Sequence, residues 1–139
     1  MTTTSTTAPA ASRVAVLLLA AAALSAAATS IVAFGALALG AEPSFAPLQP
    51  PAYLTFAVLG TLAGVGGWVL VARRVRNSAR VLRALVPALV LASLIPDVVL
   101  LLTGFIPGTS PIGVVVLALM HPIVATVAVL IGRRIAPAS

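Results

Sequence analysis

Apolar residues in this chain neither alternate nor keep to one helical stripe. They form long runs at residues 14–39, 52–72, 84–104 and 110–132, each holding at most one ionisable side chain. At about 1.5 Å of rise per residue, an apolar helix of roughly 20 residues crosses a hydrocarbon core of about 30 Å. The pattern therefore predicts an all-α membrane protein, a four-transmembrane-helix bundle folded as one domain over residues 13–134. Residues 1–12 are mainly Thr, Ser, Ala and Pro without periodicity and are expected to form a disordered tail. Residues 135–139 leave only a short tail at the other end.

The runs differ in texture. The first is mostly alanine between Ala20 and Ser30, so it offers lipid little bulk and is expected to pack closely through Ala and Ser faces. A secretory signal would begin in the same way. Apolar character nevertheless continues through Phe34 to Leu39, past the length of a signal core, and an uncleaved span is expected. Glu42 with Pro43, Pro47, Pro50 and Pro51 then predicts an extended, non-helical loop. In the second run, Tyr53 and Trp68 are separated by roughly 22 Å of helix, which suits interfacial aromatic belts on opposite sides. Tyr53, Ala57, Gly60, Gly64 and Gly67 share one face. Small residues on a stripe admit a second backbone, so Gly60, Gly64 and Gly67 are read as a helix-packing face, against the first helix or in a homo-oligomer.

Composition adds orientation. The chain has 139 residues, of which 61% are hydrophobic and 7% charged, and a net charge of +6. All eight basic residues are arginines that flank spans: Arg13, then Arg73, Arg74, Arg76, Arg80 and Arg83 between the second and third runs, then Arg133 and Arg134. This arrangement predicts both termini and the middle connection on the cytoplasmic side. The cluster from Arg73 to Arg83 is expected to lie on anionic lipid head groups, where each charge is worth about 1 kcal/mol. No aromatic residues interleave with these arginines, which excludes a nucleic-acid partner. Lacking cysteine, and with one histidine and two acids, the chain offers no thiolate chemistry, no metal site within one protomer and no cofactor. The plasma membrane is the expected location.

The candidate chemistry sits in the last two runs. Asp97 is the only acid inside an apolar run and follows Ser93 and Pro96, while His121, the only histidine, precedes Pro122. A carboxylate placed in hydrocarbon costs roughly 2.5–3.5 kcal/mol on insertion scales, so it needs a partner or a purpose. Pro96 and Pro122 cannot donate to the carbonyls of Ala92 and Ala118, so both helices are expected to break there. Depths of about 10 Å for Asp97 and 16 Å for His121 put them one turn apart, and an intramembrane pair is expected. Ala118, Ala125, Ala128 and Gly132 lie within about 60° of His121 by projection. Ile112, Val116, Leu119, Ile123, Val127 and Leu130 fall opposite and are expected to face lipid. Ser93, Asp97 and His121 are the residue types of a hydrolytic triad, but Ser93 lacks a nucleophile turn and oxyanion glycines, so no enzyme is expected.

The PAY of Pro51–Tyr53, the SLIPD of Ser93–Asp97 and the MH of Met120–His121, with high Ala and Val usage and arginine without lysine, resemble a family of small actinobacterial four-span integral membrane proteins of unknown function. The resemblance implies a membrane protein and carries no activity. In size the chain is also similar to small multidrug transporters that work as dimers, but it lacks their first-span glutamate. Two function classes follow: a structural or accessory membrane protein, and alternatively a small proton-linked transporter or ligand-binding protein acting as an oligomer.

Overall fold

The computed structural model describes residues 9–139. Its helices are α1 (Pro9–Ala38), α2 (Pro50–Arg74), α3 (Ser78–Ser93), α4 (Ile95–Thr103) and α5 (Pro111–Ile135), with a single 3-10 turn at Ala46–Leu48 and no strand among the described residues. Four segments are long and apolar enough to cross a membrane: Ala10–Ala38, Pro50–Arg74, Ser78–Thr103 and Pro111–Ile135. The third is α3 and α4 joined through Leu94. Residues 9–12, assigned to the tail by sequence, are the first turn of α1; the rest of that tail lies outside the described residues.

Local sequence explains the boundaries. Pro50 and Pro51 open α2, and Pro111 opens α5 behind Ser110, whose hydroxyl accepts the Gly113 N–H at 3.1 Å. Proline in a first turn removes a donor that would have no helical partner anyway. Gly104, at φ +60°, ends α4 in the left-handed conformation that glycine adopts without a Cβ penalty. Pro96 sits in the first turn of α4, and the break falls just before it, at Leu94. Pro122 behaves differently, since α5 stays helical through it. The expected second break is absent because α5 is held between neighbours along its length.

Those neighbours define the core. α1, α2 and α5 pack against one another, while α4 leans on α5, and α3 touches α2 and α5 less extensively. The third span is thus peripheral, and the bundle is organised around the other three. α1 buries the small stripe Ala21, Ser25, Thr29, Ala33 and Ala36 and turns Leu19, Ile31 and Phe34 outward. This arrangement suits a solvent of lipid, where close backbone approach rather than apolar burial drives association. On α5, Val116 and Val127 are buried, contrary to the lipid-facing position expected for them. A helix with partners on several sides has no single lipid face, although Leu119 and Leu130 do point outward.

The loop after α1 is not an extended connection. Phe45 is completely buried with Ala41 and Leu48, and its ring fills the space over Gly113, where a Cβ would stand 3.1 Å from Phe45 Cδ1. The segment folds back as a lid on one end of the bundle, sharing a cluster with Tyr53, Leu100, Val114 and Met120. Tyr53 is accordingly buried rather than interfacial, its hydroxyl donating to Ser30 Oγ at 3.2 Å.

All eight arginines lie at the opposite end, exposed. There the residues after α5 meet the α2–α3 connection: Ser78 is buried, Ser139 N–H donates to Ser78 Oγ at 3.0 Å, and Trp68 Nε1 donates to the Ala136 carbonyl at 2.9 Å.

Candidate functional site

Asp97 lies in the first turn of α4 and His121 midway along α5, and the structure brings them together. His121 Nδ1 is 3.3 Å from Asp97 Oδ2, forming an ion pair when the imidazole is protonated. The same Nδ1 is 3.1 Å from the Leu117 carbonyl, one turn back on its own helix. One nitrogen carries one proton, so the two acceptors compete for it. The geometry favours Leu117, one residue away from the Ala118 carbonyl that Pro122 leaves without a helical donor. Asp97 Oδ2 therefore has a charge neighbour but no hydrogen bond, although Asp97 is only 5% exposed.

Ser93 is close in sequence but turns elsewhere. Its hydroxyl donates to the Val90 carbonyl at 2.7 Å, a back-bond typical of serine near a helix end. It satisfies the backbone rather than the carboxylate.

Around this pair runs a groove of about 890 Å³. Its floor is α5, through Met120, His121, Val124 and Ala128; one wall is α2 and the other is α3 and α4. The peripheral third span explains it, because α2 and the outer half of that span stay apart. The α2 wall contains the glycines singled out from sequence. A Cβ at Gly60 would meet Val124 Cγ1 at 3.3 Å and one at Gly64 would meet Ala128 Cβ at 2.7 Å, whereas Gly67 has nothing within 4 Å. Gly60 and Gly64 thus approach α5, not α1, and Gly67 opens into the groove. The side chains of Arg73, Arg74, Arg76, Arg80 and Arg83 are exposed at the bundle end and do not line it.

Sequence reasoning missed a second polar group. Thr61 Oγ1 donates to Ser25 Oγ at 2.6 Å and Thr29 Oγ1 donates to the Ser25 carbonyl at 2.8 Å, all fully buried between α1 and α2. The signal was present, since Ser25 and Thr29 stand four apart on α1, and Tyr53, Ala57, Thr61 and Val65 repeat at four on α2. These hydroxyls satisfy one another and tie two helices.

No family model, curated protein or solved structure matches this chain. The likeness to the actinobacterial four-span family rests on the sequence motifs alone.

Proposed function

We propose that this chain is a multi-pass protein of the plasma membrane, with both termini cytoplasmic, that binds a small amphipathic molecule in the groove at Asp97 and His121 without chemically changing it. The observation that carries this reading is the Asp97 side chain, which lines an open groove and carries a buried oxygen, Oδ2, that lacks a hydrogen bond. In hydrocarbon, with no water to complete it, an unpaired polar atom costs several kcal/mol. A pair that served only to clamp two helices would use that oxygen. The gathering of all eight arginines at one end supports the orientation, and in it the exposed Arg73, Arg74, Arg76, Arg80 and Arg83 would rest on anionic head groups.

A structural or accessory role is the second reading. It is favoured by the contact between Asp97 and His121 itself, which joins α4 to α5 in a span with few other partners. Proton-linked transport draws support from the two acceptors competing for one Nδ1 proton, and it would need an oligomer, since four helices seldom enclose a pathway.

The chain has two acids, so carbodiimides separate the readings. A hydrophobic carbodiimide dissolved in the bilayer, tested from mildly acidic to mildly alkaline pH, should modify Asp97, and a water-soluble one should modify Glu42, both read by peptide mass spectrometry. If the hydrophobic reagent leaves Asp97 untouched at every pH, the carboxylate is closed to the bilayer and the clamp reading stands.

A further inference from the structure

We propose that the occupant of the groove is a single-chain lipid alcohol, its hydroxyl donating to the Asp97 carboxylate and its chain lying along α2 towards Trp68. The inference deepens the binding reading above and rests on it.

Shape gives the chain. The groove extends from Phe105 at one end of the bundle to Leu82 at the other, so it is elongated along the helices. Its volume of about 890 Å³ falls in the range of small-molecule sites, roughly 300–1,000 Å³. Gly67 and Ala63 leave the α2 wall shallow, and Phe56 and Leu89, on facing walls, are more than half exposed. The opening is therefore apolar and sideways, towards lipid tails, so a ligand reaches it by first dissolving in the bilayer.

Chemistry gives the head group. The hydroxyls on the lining are already committed as donors: Ser93 to Val90, Thr29 to Ser25 and Tyr53 to Ser30. What the groove lacks is a donor for the Asp97 carboxylate on its lining, and the head group must supply it. No arginine lines the groove, so a phosphate or carboxylate would meet the Asp97 carboxyl without a countercharge. An ammonium head would lose hydration on entry, a cost that an uncharged hydroxyl avoids. A hydroxyl donates one hydrogen bond and brings no charge.

Trp68 is the only tryptophan and lines the groove, so it reports occupancy directly. The probe is a long-chain primary alcohol brominated near its chain end, titrated into the full-length protein in phosphatidylcholine nanodiscs while Trp68 quenching is read. Wild type is expected to show saturable quenching, reversed by unlabelled octadecanol better than by octadecylamine or stearate. Gly67→Leu fills open space and should fold normally, yet it should leave only the linear quenching of free probe in lipid. Asp97→Asn should weaken half-saturation about tenfold, as expected for loss of a hydrogen bond to a charged group. Saturable quenching displaced best by octadecylamine or stearate would overturn the alcohol while leaving a binding groove. Linear quenching alike in wild type and Gly67→Leu would overturn both, as would cross-linking that places a second copy of the chain in the groove.

Discussion

The indole of Trp68 lies directly over Gly132: a Cβ at residue 132 would stand 2.5 Å from Trp68 Cγ, closer than any real contact permits. The hydrogen bond from Trp68 Nε1 to the Ala136 carbonyl depends on this seat. Gly132→Ala must push α2 and α5 apart, and overpacking of this kind costs about 1–3 kcal/mol. Unfolding in mixed micelles, followed by the single tryptophan's emission, should show that loss with a native-state shift of the emission maximum. Unchanged stability and emission would mean that the two helices pack less closely.

A matched pair of glycines tests the α2 face. Gly64 would place a Cβ 2.7 Å from Ala128 Cβ, whereas Gly67 has open space. Gly64→Leu is expected to lower the thermal midpoint in detergent, and Gly67→Leu to leave it near wild type. Equal effects would show that the stripe does not distinguish its two ends.

The buried hydroxyls between α1 and α2 make a smaller claim. Thr61→Val removes the donor to Ser25 while keeping the volume. Interhelical hydrogen bonds in membranes average about 0.6 kcal/mol, with the largest near 1.7. Destabilisation in that range is expected from unfolding in micelles, and none at all would mean that Ser25 finds another donor.

Much of the fold is legible in the residues, and the failures share a cause. The spans follow from the length of the apolar runs, and Pro96 marks the break at Leu94, because both are properties of one helix in hydrocarbon. Projection puts Val116 and Val127 on a lipid face because it gives directions around a helix, not how many neighbours the helix has. The expected break at Pro122 fails for the same reason: the packing that keeps α5 helical through it comes from α1 and α2. Phe45 and Tyr53 go inward because Gly113 leaves a hole for one and Ser30 an acceptor for the other, pairings between residues distant in sequence. The pair of Asp97 and His121 is accessible from sequence because each is the sole ionisable group in its span, at similar depth. The groove beside them arises from the peripheral position of the third span, which no local pattern encodes.

Orientation is open to a clean test because the chain has no cysteine. Ser44 and Pro137 are exposed at opposite ends, whereas Ser78 is buried behind Ser139 and would report poorly. In intact cells an impermeant maleimide should label Ser44→Cys, and should label Pro137→Cys only after permeabilisation. The reverse pattern would invert the bundle.

The contact between Asp97 and His121 joins α4 to α5 and forms the polar end of the groove, so its energy is the quantity of most consequence. A double-mutant cycle of Asp97→Asn and His121→Gln, measured by unfolding in mixed micelles, isolates the pairwise part. Because Nδ1 lies 3.3 Å from Asp97 Oδ2 while it is hydrogen-bonded to the Leu117 carbonyl, the predicted coupling is modest, between about 0.6 and 1.7 kcal/mol. Strictly additive effects would contradict it, and Asp97 and His121 would then be two separate polar residues beside two prolines.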